Sequence, residues 1–140
     1  MLKRVGNYVL TEELGRGQFG IVYKGHLADD PTKFYAIKTL LKKRLQENPT
    51  LERLFHTEVA VMQKIDHTNV MHLYNFLETP NNYYMVMRYC SEGDFEHFMK
   101  KRGIKFFPEE EVIYFLKQIM NGFQELHRCK VMHRYILTQI

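Results

Sequence analysis

No stretch of this 140-residue chain approaches the roughly 20 apolar residues that a membrane span requires. The start, Met1-Leu2-Lys3-Arg4, is basic but runs into Gly6-Asn7-Tyr8 rather than an apolar segment, so it makes a poor secretory leader. Cysteine is scarce: Cys90 and Cys129 stand far apart, with no CxxC pair and no histidine spacing suited to zinc. Two such thiols fit a reducing cytosol at least as well as a disulfide. His26, His56, His67, His72, His97 and His127 show no metal-like grouping, so no metal site is expected. Internal repeats and low-complexity linkers are absent too. Nor is there a large excess of charge, since the net value is +4 and the pI is near 9.0. The basic runs Lys42-Lys43-Arg44 and Lys100-Lys101-Arg102 are short enough to be solvated faces rather than nucleic-acid sites. These absences leave a soluble, cytoplasmic chain with no nucleic-acid or membrane partner as the expectation.

What is present suits one domain with a core. Hydrophobic residues at 45% and charged residues at 26% describe a globular chain rather than a disordered one. Tyr8-Val9-Leu10 leads through Leu14 into Gly15-Arg16-Gly17-Gln18-Phe19-Gly20, and Ile21-Val22-Tyr23-Lys24 resumes as strand. Phe34 to Lys38 reads as a third strand. Asn48 and Pro49 then open a helix as N-cap and first residue, with the stripe Leu51, Leu54, Phe55, Val59 and Met62. Glu58 falls on that stripe and needs a partner if buried. Leu73–Leu77 and Tyr83–Arg88 read as two more strands around the turn Thr79-Pro80-Asn81-Asn82. Phe95, Phe98 and Met99 mark a short helix. Pro108 and Glu109-Glu110-Glu111 open a longer one, with Val112, Leu116, Ile119, Met120, Phe123 and Leu126 as its expected buried face.

Glycines spaced GxGxxG are weak evidence alone. A dinucleotide-binding fold uses the same letters, but requires a helix to begin at the loop. Here the loop runs into strand. In a strand–turn–strand setting, glycines let the backbone approach a triphosphate and offer it N–H donors. Lys38 is then placed to reach phosphate oxygens as a point charge, and Glu58 to satisfy Lys38.

The ordered set Leu14-Gly15-x-Gly17-x-x-Gly20-x-Val22, Tyr35-Ala36-Ile37-Lys38 and Glu58 resembles a eukaryotic protein kinase. The likeness continues through Tyr84-Met85-Val86-Met87-Arg88-Tyr89-Cys90, similar to the hinge, to Val131-Met132-His133-Arg134. It covers about residues 8 to 140. The segment Tyr89-Cys90-Ser91-Glu92-Gly93-Asp94 is most similar to serine/threonine kinases, in particular those that initiate autophagy. The resemblance implies an α+β fold. An N-lobe over about 8–90 would hold a five-stranded antiparallel sheet and one major helix. The first helices of an incomplete C-lobe would follow over about 91–140. It also implies ATP-dependent phosphotransfer.

Site roles follow from the same resemblance. Gly15, Gly17 and Gly20 would shape a lid over the phosphates, with Phe19 at its tip and Leu14, Arg16, Gln18 and Ile21 in the same nucleotide-binding stretch. Val22 and Ala36 would pack on adenine, Met87 would be the gatekeeper, and backbone groups of Arg88 and Cys90 would bond the adenine edge. Asp94 would sit near the ribose. Lys38 and Glu58 would form a phosphate-positioning pair, and Met62, Leu73 and His133 a hydrophobic column. The family usually carries an acid where Arg88 stands.

The resemblance breaks at its catalytic end. The family's HRDxxKxxN supplies a base, a lysine and a magnesium ligand. An ungapped match puts Tyr135, Leu137 and Ile140 there, and a one-residue deletion would bring Gln139 to the last position. A phenol with a pKa near 10 is a poor base at neutral pH, and losing a general base costs about 10²–10⁴ in rate. No catalytic set is intact, and no DFG segment follows within the 140 residues. The chain is therefore expected to be catalytically deficient, with weak ATP binding, magnesium only where it accompanies ATP, and no metal site of its own. The helix near 109–128 is expected to offer its apolar face to a protein partner. The alternatives are a longer active kinase, a pseudokinase-like interaction module without nucleotide, or a non-functional fragment of a kinase gene.

Overall fold

The computed structural model describes residues 3–17 and 20–131. The chain forms two compact units, one of Met1–Lys64 with Met71–Tyr89, the other of Ile65–Val70 with Cys90–Ile140.

The first unit is an antiparallel sheet of β1 (Lys3–Val5), β2 (Tyr8–Arg16), β3 (Gly20–Leu27), β4 (Phe34–Leu41), β5 (Leu73–Glu78) and β6 (Asn82–Arg88). Their order is β1-β2-β3-β4-β6-β5. The sheet has six strands rather than the expected five. Gly6 adopts φ 55° and, with Asn7, turns Val5 back onto Tyr8, so the basic start becomes a short edge strand. Glycine suits that left-handed backbone because it has no Cβ to clash. Two helices complete the unit, α1 (Lys42–Gln46) and α2 (Pro49–Met62). The cap of α2 forms as its sequence implies: the Asn48 side chain accepts from the N–H groups of Thr50 and Leu51. The basic run Lys42-Lys43-Arg44 lies in α1, a turn of helix held by the buried Leu45.

Two cores lie on the two faces of this sheet. One gathers Val5, Tyr8, Leu10, Tyr35, Ile37, Tyr84 and Val86. The other joins Leu40, Leu73, Tyr83 and Met85 to Leu45 of α1 and to Phe55 and Val59 of α2, with Met62 packed alongside. Phe55 leans on Tyr83 and Phe76, with ring centroids 5.2 and 6.1 Å away. Leu54, expected in the stripe, faces solvent instead.

The second unit contains α3 (Phe95–Arg102) and α4 (Glu109–Arg128). Phe95, Phe107 and Phe115 meet edge-on or tilted, at 4.9 to 5.6 Å. Arg102 grips the Glu111 carboxylate with two guanidinium nitrogens. At Gly122 a Cβ would stand 2.7 Å from the carbonyl oxygen of Asn69, so only glycine permits this approach. The Asn69 amide donates to Gln118 Oε1 at 2.6 Å beside it. The expected buried face of α4 is therefore displaced. Ile119, Phe123 and Leu126 are half-buried as expected, but Phe115, Gln118 and Gly122 join them while Val112, Leu116 and Met120 are exposed. No helix among the described residues is long and apolar enough to cross a membrane, and Cys90 and Cys129 are free thiols.

Candidate functional site

Strand β4 runs between β3 and β6, so its residues have neighbours on both sides. Residues directly opposite in an antiparallel pair share a face. Ala36 lies between Lys24 and Met87, and Lys38 between Val22 and Met85. Val22, Ala36, Lys38 and Met87 are thus brought onto one face, and all four are half-buried. Met85, on that face too, is sealed in the core with α2. Ile21 sits one step along, opposite Thr39 on the other face, away from this group.

The glycine turn lies at the end of the same strands. Gly15 pairs with Val22 and Arg16 with Ile21, and the Gly17 N–H donates to the Gly20 carbonyl at 2.9 Å. The chain continues as β3, not as a helix, which removes the geometry a dinucleotide fold requires. The glycines differ in their reasons. A Cβ on Gly20 would lie 1.9 Å from the Thr39 carbonyl oxygen, so Gly20 serves strand packing. Among the described residues, nothing lies within 4 Å of that position at Gly15 or Gly17. Packing among the described residues does not demand that these two positions lack a side chain. Leu14 is exposed at a bulge, and Arg16 is held by the Glu13 carboxylate, which raises the guanidinium pKa. Gln18 and Phe19 lie outside the described residues.

The expected pair of Lys38 and Glu58 is not formed. Among the described residues no hydrogen bond or ion pair joins them, and Glu58 is exposed. Helix rotation gives the reason. Phe55 and Val59 anchor α2 to the sheet, and at about 100° per residue Glu58 falls to one side of them. Exposed there, its charge is not neutralised by Lys38. Lys38 itself lies on the face that α2 covers, since Leu40, two residues on, is in the core with Phe55 and Val59.

Elsewhere the placements are mixed. The Arg88 N–H donates to the His72 carbonyl at 3.2 Å, so that N–H is committed within the unit. Met62 packs on the cluster that contains Leu73. Asp94 caps α3, its Oδ1 accepting from the His97 N–H at 2.7 Å, and Cys90 is exposed. His133, Tyr135, Leu137, Gln139 and Ile140 lie outside the described residues. Sequence reasoning missed Lys24, which shares the face of Val22 and Ala36; the period of two along β3 was the available signal. Among the described residues no trio of His, Cys, Asp or Glu is gathered to hold a metal. An open apolar groove of about 660 Å³ lies along α4 at Met120, Phe123, Gln124, His127 and Arg128.

The protein kinase domain family matches residues 8–137. The serine/threonine-protein kinase atg1 of Dictyostelium discoideum is 36% identical over 142 residues, covering 99% of this chain and 21% of that protein. Serine/threonine-protein kinase ATG1 of Eremothecium gossypii is 32% identical over 154 residues, covering 94% of this chain and 16% of that protein. Serine/threonine-protein kinase ULK3 of Mus musculus is 33% identical over 132 residues, covering 94% of this chain and 27% of that protein. The chain thus spans less than a third of the length of these relatives.

Proposed function

The chain belongs to the protein kinase family, and from that membership we propose that its half-open sheet face binds ATP while phosphoryl transfer is deficient. One observation carries the reading: Val22, Ala36, Lys38 and Met87 share a half-buried face at the base of a turn where Gly15 and Gly17 have free space among the described residues. Val22, Ala36 and Met87 offer apolar surface to a flat adenine ring. Lys38 brings an ammonium to the same face, where phosphate oxygens would meet it. The uncrowded turn at Gly15 and Gly17 lets anionic oxygens come close to the backbone, with the Gly17 N–H already held by the Gly20 carbonyl. Affinity is weak in this reading, because no carboxylate orients Lys38. Magnesium enters only with the nucleotide.

The deficiency rests on Tyr135, which stands where the family has its aspartate base. A phenol protonated at neutral pH withdraws general-base help, costing about 10²–10⁴ in rate. The relatives' serine/threonine specificity is the substrate class proposed for any residual transfer. Thermal-shift titration with ATP and with adenosine, each with and without magnesium, tests the binding. Lys38→Met should abolish most of the ATP effect and spare adenosine. An unsubstituted chain that fails to shift at millimolar ATP overturns the binding claim. Incorporation of labelled phosphate that Lys38→Met abolishes overturns the deficiency. The exposed Val112, Leu116 and Met120 favour a second reading, docking of a protein partner along α4. The same titration separates the two, since a pure interaction module shows no nucleotide shift.

A further inference from the structure

Lys24 stands in a cage of groups from three separate segments of the chain. Its Nζ lies 3.4 Å from a Glu12 carboxylate oxygen, 4.4 Å from the Phe34 ring centre and 5.1 Å from the Tyr89 ring centre. Both ring distances fall within the range at which an aromatic face attracts a cation. The two rings also meet each other edge-on at 6.3 Å.

Local sequence explains how these groups converge. Between the pairs Leu10–Gly25 and Glu13–Tyr23, strand β2 has one residue too many. Thr11 and Glu12 both oppose Lys24, and the Thr11 hydroxyl donates to the Lys24 carbonyl at 3.0 Å. A bulge of this kind re-aims a side chain, and here it turns Glu12 toward the ammonium. Phe34 opens β4. Tyr89 directly follows β6, next to the backbone of Arg88 and two residues after Met87. The Lys24 side chain is only 24% exposed, so the cation is partly withdrawn from water.

We propose that Lys24 is a positioning residue: held by Glu12 and Phe34, its ammonium grips the Tyr89 ring and fixes the backbone of Arg88 and Tyr89 beside the adenine-facing surface of Ala36 and Met87. The proposal rests on the reading that this face takes ATP. It makes Lys24 act on the base, through a backbone, whereas Lys38 acts on the phosphates. Adenosine therefore distinguishes the two lysines.

The test compares Lys24→Met, which keeps the stem and removes the charge, with Lys24→Arg, which keeps a cation for both rings and the carboxylate. In nucleotide-free protein, amides of residues 86–89 should exchange several-fold faster in Lys24→Met and at the original rate in Lys24→Arg. Adenosine and ATP should both bind more weakly to Lys24→Met by one common factor, roughly three- to tenfold for an interaction of this kind. Lys38→Met should lose ATP alone. Unchanged exchange, or a lowered melting temperature with unchanged adenosine affinity, overturns the proposal by reducing Lys24 to a packing residue. If the unsubstituted chain binds neither adenosine nor ATP, the ATP reading fails by itself. The exchange rates then decide the clamp, faster exchange supporting it and unchanged exchange overturning it.

Discussion

The two faces of β4 come from alternate residues of one segment, yet they are finished in opposite ways. Tyr35 and Ile37 lie on a closed face with Val86, the last two at 1% and 0% exposure. Ala36 and Lys38, interleaved with them, stay half-buried beside Val22 and Met87. Full burial of an aliphatic or aromatic side chain is worth about 1.5–3 kcal/mol, so Tyr35 and Ile37 contribute more to stability than Ala36 and Lys38 between them. On the opposite face Leu40 and Met85 carry that duty in the core with α2, while the stretch at Ala36 and Lys38 stays half-buried and accommodates a cation. Period-two alternation therefore sends residues of one strand into two cores and leaves Ala36 and Lys38 half-buried among them, where the nucleotide is proposed to bind.

The sharpest way to break this contrast is to truncate one residue from each face. Ile37→Ala should cost about 2–5 kcal/mol in urea unfolding. Val22→Ala should cost under about 1.5 kcal/mol and act mainly on nucleotide affinity. Similar losses from both would show that the faces share the work of folding. The glycines give a smaller version of the same comparison. Gly20→Ala forces a Cβ against the Thr39 carbonyl and should destabilise by about 1–3 kcal/mol. Gly17→Ala meets nothing among the described residues and should stay within about 0.5 kcal/mol in stability, while weakening ATP binding.

The smallest effect separates the sheet from the helices. The hydrogen bond from Arg128 holds the Glu125 carboxyl down at about 2, and the hydrogen bond from Arg102 lowers Glu111. A carboxyl lowered on folding stabilises above its unfolded pKa and loses that contribution as pH falls through the folded value. Relative to the intrinsic exchange rate at each pH, amide protection in α3 and α4 should therefore fall between about pH 4.5 and pH 2, ahead of protection in β4. Glu125→Gln should flatten that dependence. Equal loss of protection in β4 would dissolve the distinction between the helices and the sheet. The effect is modest because exposed ion pairs are screened by water.

Much of this was legible in the residues. Asn48-Pro49 specified a helix start, the glycine turn specified a hairpin, and the run Phe34–Lys38 specified a strand. The misses have physical causes. Lys3–Val5 is too short and polar to signal a strand by itself, although Gly6-Asn7 carried the turn. In α1 a single buried leucine sits among charged residues, so no stripe exists to read. The Lys38–Glu58 pairing failed because the rotation of α2 is set by how Phe55 packs on Tyr83 and Phe76, a tertiary fact. Lys24 was hidden for a similar reason. Its partners Glu12, Phe34 and Tyr89 are scattered along the chain, and a bulge shifts Glu12 out of simple alternation.

The seat of Gly122 against Asn69 has a bearing on how the polypeptide can be dissected. The strip that α4 rests upon is translated before the last two strands of the sheet, so the helical portion borrows part of its foundation from upstream. Severing the polypeptide at residue 89 would separate a helix from its own footing. Clean dissection would have to graft that strip back ahead of Cys90.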